Sequence, residues 1–200
     1  MVGLMNINST AETPNVQIRG IKSFKNHPDY HREHDSVYDD ITIITLDSDI
    51  TFSPYVKTVK IQKNDELLLK KKKNTVTGFG AYTFKNDGPV ISSDLLFSEV
   101  DHIDQNWCIR RWAQMTNKEV KIWDKQTCAG TNGKGSGPGD SGGPLQVKVD
   151  GDWVQIGMVS FGGTTVEQTL RQADYPDVYT RVSAYCDFIT ENTDGGYKCL

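Results

Sequence analysis

The chain has 200 residues, enough to bury a substantial core, and its 18 glycines with 36% hydrophobic content suit strands and turns better than helices. No run of about 18 apolar residues occurs, which excludes a membrane-spanning helix. A net charge of −4 argues against a nucleic-acid partner.

The first ten residues hold neither a basic segment nor an apolar stretch of secretory-signal length. Asn8-Ser9-Thr10 is nevertheless a glycosylation sequon, suited to a surface loop of a secreted protein. Residues 15–21 alternate Val16, Ile18 and Ile21 as a half-buried strand. His27-Pro28-Asp29-Tyr30 reads as a turn, continued by a solvated loop over His31, Arg32, Glu33, His34 and Asp35. His27, His31 and His34 are either a metal cluster or exposed imidazoles, and their spacing matches no helical zinc motif. Ile41–Leu46 reads as a buried strand with Asp40 at its mouth, where an acid is solvated or must be paired.

Leu67–Lys73, LLLKKKK, is a solvated linker or an exosite for polyanions. Gly88–Val100 alternates around a hairpin, Asp101–Asn106 is a polar turn, and Trp107–Trp123 suits a surface helix followed by an extended loop. Cys108, Cys128, Cys186 and Cys199 are an even set without CxxC spacing, pointing to disulfides in an oxidising compartment rather than to zinc or redox chemistry. Gly139-Asp140-Ser141-Gly142-Gly143-Pro144 describes a tight turn. Its glycines let backbone N–H groups converge beside a hydroxyl, as a nucleophile next to an oxyanion hole requires. Trp153–Gly162 and Tyr175–Val182 read as strands, and Ala184–Thr190 as a helix.

Gly-Asp-Ser-Gly-Gly-Pro-Leu (residues 139–145) resembles the nucleophile motif of the trypsin/chymotrypsin-like serine proteases. Further stretches are similar to that family in the same order. They include Asp39-Asp40-Ile41, Thr77-Gly78-Phe79-Gly80, Thr127-Cys128-Ala129-Gly130, Val159-Ser160-Phe161-Gly162 and Pro176-Asp177-Val178-Tyr179-Thr180. The resemblance spans about residues 15 to 192. It implies an all-β fold of two Greek-key barrels with a short C-terminal helix: residues 1–66 as the remainder of the first barrel, 67–74 as linker, 75–200 as the second barrel and helix.

The resemblance further implies peptide-bond hydrolysis by Ser141, with Asp40 as the acid that orients a histidine and the N–H groups of Gly139 and Ser141 as the oxyanion hole. Ser160, Phe161 and Gly162 would hold the substrate as an added strand. Gly135 and Asp177 would line the specificity pocket. Gly135 implies an apolar pocket and Asp177 a partner for cations, hence large apolar side chains with Arg or Lys also accepted. Cys108 pairs naturally with Cys128. Cys186 with Cys199 would be a bridge outside the family's common set. Asn74 and Val147 stand where the family often has a disulfide.

Neither a metal nor a cofactor is expected. The expected partners are protein or peptide substrates and protein protease inhibitors, with no nucleic acid and no membrane, for a secreted monomer. The family's histidine lies in an Ala-Ala-His-Cys segment several tens of residues before the aspartate. Only 39 residues precede Asp40, and none of His27, His31, His34 or His102 has that context. The expectation is an N-terminally incomplete serine endopeptidase, inactive as it stands, with an open first barrel. Asp140 would have no evident partner. The alternative is a catalytically inactive homologue that binds or regulates.

Overall fold

The computed structural model describes residues 1–86 and 88–200. Its strands and helices, in chain order, are β1 (Ile21–Asn26), β2 (His31–Glu33), β3 (Ser36–Tyr38), β4 (Thr42–Leu46), α1 (Glu66–Leu69), β5 (Lys73–Gly78), β6 (Ala81–Lys85), β7 (Gly88–Ile91), β8 (Leu96–Ile103), α2 (Gln105–Met115), β9 (Gln126–Ala129), β10 (Pro144–Val149), β11 (Asp152–Phe161), α3 (Val166–Leu170), β12 (Asp177–Arg181) and α4 (Cys186–Glu191). No helix among the described residues is long and apolar enough to cross a membrane.

Six strands close into a barrel in the order β10-β11-β12-β9-β8-β5, every neighbouring pair antiparallel. Closure removes free strand edges. Its interior is a single apolar cluster that includes Val76, Val100, Leu145, Val154, Ile156 and Tyr179. Alternation puts them there: in β10 Leu145 and Val147 point inward while Lys148 points out. Asn74 also lies in this interior, with both side-chain atoms unpartnered, one rung beyond the Gln146–Thr75 pairing and therefore beside Val147.

The N-terminal part is built differently. β1 and β4 form a two-stranded sheet, β2 and β3 a short hairpin, and no second closed barrel is present among the described residues. The strand expected over 15–21 begins only at Ile21, and all six residues of β1 are exposed. In the segment before it only Val16 is buried. Ile41–Leu46 is likewise not a buried strand. Ile41 is covered, but Phe24 and Ile44, paired across β1 and β4, are 69% and 55% exposed. The apolar pattern is there, but only its Ile41 and Ile43 side is covered, by the C-terminal cluster. The loop expected at His31–Asp35 is the β2–β3 hairpin, turned by His34 and Asp35 at positive φ.

Other boundaries also move. Leu67–Leu69 is helical rather than linker, because Leu68 is buried in the barrel core. Lys73 already belongs to β5, where it pairs with Asp101 of β8 at 2.8 Å. Asp101–Ile103 continues a strand instead of forming the expected polar turn, because Asp101 still pairs with Lys73 of β5 and His102 and Ile103 pair with Ala129 and Cys128 of β9. Asp104 then caps α2 by accepting from Trp107 N at 2.9 Å. The hairpin placed at Gly88–Val100 is formed by β6 and β7.

The two parts are joined by burial and by charge. Ile41 and Ile61 pack with Val182, Tyr185 and Ile189 of the C-terminal segment. Asp65, fully buried, accepts from the Arg181 guanidinium and from Ser183 Oγ at 2.8 Å. Both expected disulfides form, Cys108–Cys128 and Cys186–Cys199.

Candidate active site

Ser141 lies exposed in a turn whose flanking glycines, Gly139 and Gly142, have φ of +101° and +79°. A side chain is strained at either position. The turn is fastened to β11: Gly142 N donates to Val159 O at 2.8 Å and Val159 N to Gly143 O at 2.9 Å.

Asp40 is fastened to the next residue of the same strand. Ser160 Oγ donates to Asp40 Oδ2 at 2.6 Å, and Thr180 Oγ to the Asp40 carbonyl at 2.9 Å. The serine turn and the acid, a hundred residues apart in sequence, therefore hang on adjacent residues of β11. Ser160, expected to contribute its backbone, also contributes its hydroxyl. The neighbouring Asp39 faces elsewhere; it is buried, held by Lys125 Nζ at 2.8 Å, with His27 Nδ1 at 3.8 Å.

None of the four histidines is hydrogen-bonded to Asp40 or Ser141. His27 is not an exposed imidazole as expected but packs on Tyr185 and Phe188 beside Asp39. His31 stacks on Tyr38, and His34 projects from the β2–β3 turn next to Glu33. His102 is largely buried, which pushes its pKa down, and its Nδ1 has no partner.

Asp140 has partners where none was expected. Its carboxylate accepts from the backbone N–H groups of Gly80 at 2.8 Å and Gly137 at 2.9 Å. Gly78 and Gly80 leave room for it: a Cβ at Gly78 would stand 1.9 Å from Asp140 Oδ1. Asp140 also lines a cleft of about 190 Å³ bounded by Thr77, Ala81, Gly135 and Leu170.

The pocket residues converge. Asp177 is buried and accepts from Ser136 Oγ, and its Oδ1 lies so close to Gly162 that a Cβ there would be 2.1 Å away. Burial pushes the Asp177 carboxyl up to about 7, the Asp140 charge adds to the rise, and the Ser136 hydrogen bonds oppose it. No ion pair reaches Asp177 among the described residues. Gly135 (φ +144°) faces Gln172, whose amide oxygen fills the space a Gly135 side chain would take, 1.5 Å from an ideal Cβ. Gln172 is itself buried, donating to Ser136 O at 2.6 Å; its Oε1 and the Tyr179 hydroxyl have no hydrogen-bond partner among the described residues. Phe161 stands edge-on to Trp112 with ring centroids 5.2 Å apart.

Sequence reasoning missed Ser136, Gln172 and Tyr179. Tyr179 was findable, because it shares a face of β12 with Asp177 two residues earlier. Ser136 is adjacent to Gly135, whereas nothing in the run around Gln172 marks it.

A closed six-stranded antiparallel barrel presents an exposed serine in a glycine-rich turn fastened to β11 and an acid anchored to the next residue of that strand, an arrangement of the serine-hydrolase class. The family model described as Trypsin matches residues 1–189, and the chain belongs to the trypsin family of serine proteases. It is 33% identical to the CLIP domain-containing serine protease B15 of Anopheles gambiae, over 91% of this chain and 49% of that protein. It is 33% identical to a phenoloxidase-activating enzyme of Bombyx mori, over 90% and 41%, and 32% identical to a tryptase of Mus musculus, over 82% and 58%. The chain spans about half the length of the curated relatives it matches.

Proposed function

We propose that this chain carries the nucleophile, acid and pocket of a secreted serine endopeptidase, and that the imidazole completing the triad comes from polypeptide outside this sequence. Ser141 attacks the scissile carbonyl, and the N–H groups of Gly139 and Ser141 receive the developing oxyanion. Asp40, oriented by Ser160, would hold the incoming imidazole in the tautomer that accepts the serine proton. Ser160 and Phe161 at the end of β11, with Gly162 just after it, receive the substrate as an extra strand beyond the reach of β10. The single observation that carries this reading is that the turn bearing Ser141, through Gly142 and Gly143, and Asp40 are fastened to consecutive residues of β11; a solvated acid at a strand mouth has no need of the Ser160 hydroxyl.

The pocket supports a mixed preference. Among the described residues Asp177 has no cationic partner and Gln172 Oε1 no hydrogen-bond donor, so a Lys or Arg side chain would supply what both lack. A large apolar residue fits when Asp177 is neutral. The resemblance also implies a free N-terminal amine that pairs with the acid before the nucleophile and orders the oxyanion hole; the cleft beside Asp140 would receive it. The chain alone is expected to be inactive, because an unassisted serine is a poor nucleophile at neutral pH.

The absence of any imidazole beside Asp40 favours one rival: a non-catalytic homologue that binds through the same groove. Fluorophosphonate labelling of the longest native form separates the two. A catalytic protein forms one adduct, mapped to Ser141 and lost in Ser141→Ala. A native form that stays unlabelled, or labels equally after Ser141→Ala, overturns the catalytic reading.

A further inference from the structure

The lysines around the β10–β11 hairpin form a surface that peptide hydrolysis does not use. Lys70, Lys71 and Lys72 are exposed between α1 and β5. The Lys71 ammonium donates to the Lys148 carbonyl at 3.3 Å. The Lys148 ammonium in turn lies 5.5 Å from the ring centroid of Trp153, its partner across the hairpin, and Trp153 is 42% exposed. On the far side of β11, Lys60 bridges Val154 by its backbone and binds Asp152 by its ammonium. That hydrogen bond, with Lys57 adding its charge, holds the Asp152 carboxyl below its usual range.

Lys148 thus lies against one exposed tryptophan and Lys71 reaches the Lys148 backbone, with Lys70 and Lys72 flanking Lys71 in sequence; of these and Lys60, only Lys60 is paired with an acid among the described residues. Lys70, Lys71, Lys72 and Lys148 outnumber the hairpin acids Asp150 and Asp152, so this face is locally basic in a chain of net charge −4. It is also remote from the catalytic turn. Ser141 precedes β10 and Ser160 ends β11, whereas the patch sits at the opposite end of a six-residue strand, roughly 20 Å away at about 3.3 Å per residue.

We propose that this face is an exosite for a sulfated polysaccharide. The Trp153 ring is the platform for a sugar ring, and Lys70, Lys71, Lys72 and Lys148 are the charges for its sulfates. The composition argues for this ligand. The patch holds lysine point charges and no arginine fork of the kind that grips phosphate bidentately. A long phosphodiester would have to leave the patch across a surface of the opposite sign, whereas a short oligosaccharide need not.

The test is calorimetric binding of a size-defined heparin oligosaccharide to this chain at 50 and 200 mM salt. Binding is expected to weaken with salt through counterion release. Combined Lys70→Gln, Lys71→Gln and Lys72→Gln substitutions should weaken it about tenfold or more at low salt and flatten the salt dependence. Trp153→Ser should weaken it without altering the salt dependence, because stacking releases no ions. A control triple of equal charge, Lys22→Gln, Lys25→Gln and Lys118→Gln, should leave it within about twofold. The proposal is overturned if both triples lose equally, if the oligosaccharide does not bind, or if duplex DNA or phosphatidylserine vesicles bind more tightly. All these side chains are exposed, so the variants keep the fold.

Discussion

The closed barrel and the open β1–β4 sheet use similar strand sequences to opposite effect. In the barrel, Leu145 and Ile156 are wholly buried because six neighbours close on themselves. In the sheet, Phe24 and Ile44 are as apolar and lie in water, since the face of the two-stranded sheet that carries them has no layer on it. Burial is therefore a property of what surrounds a strand. The site straddles the contrast: Ser141, Asp177 and the pocket belong to the barrel, and Asp40 comes from the open part but is held by barrel residues.

The largest effects should come from the joint and the barrel. Asp65→Ala would leave the Arg181 guanidinium without its buried carboxylate and should cost about 3–5 kcal/mol in urea unfolding. Leu145→Ala should cost about 2–5 kcal/mol by opening a cavity in the packed interior. Ile44→Ala should shift stability by no more than about 0.5 kcal/mol; an Ile44→Ala cost near that of Leu145→Ala would erase the contrast.

A pH effect comes next. Asp177 titrates near 7 in the folded chain, against an ordinary carboxyl near 3.8. Between those values the folded state holds the extra proton, so stability falls as pH rises from about 4 to about 7 and is level above. The whole span is on the order of 4 kcal/mol. Asp177→Asn should remove this slope, measured as the urea midpoint from pH 4 to 8. An unchanged slope would mean that the buried carboxyl finds a countercharge. The smallest effect is expected on the open sheet, where Phe24→Lys should reduce self-association in light scattering while leaving the urea midpoint almost unmoved.

The barrel strands β11 and β12 and the nucleophile turn were legible because their alternation and glycines are local signals, whereas β8 was expected as part of a hairpin and a polar turn. Both disulfides and the helix that ends in Glu191 were legible too. The exposure of β1 and β4 was not legible in their own residues, since Ile-Thr-Ile-Ile reads as a core strand in any chain. Asp140's partners are backbone amides, and amides leave no mark in a sequence. Gln172 reaches Gly135 only through the path of the loop after α3, which no residue in that loop announces.

Asp39 and Asp40 offer the most direct test of the site, because two adjacent acids are held by different partners, Lys125 and His27 for one and Ser160 for the other. The measurement is kcat and KM on a peptide substrate for Asp39→Asn and Asp40→Asn in the full-length native protein. A triad built on Asp40 predicts a loss in kcat of about 10⁴ for Asp40→Asn, the size known for this family's triad, with KM little changed. Asp39→Asn should lower stability and leave kcat near that of the parent. If Asp39→Asn abolished turnover while Asp40→Asn kept it, the assignment of the acid to Asp40 would be wrong.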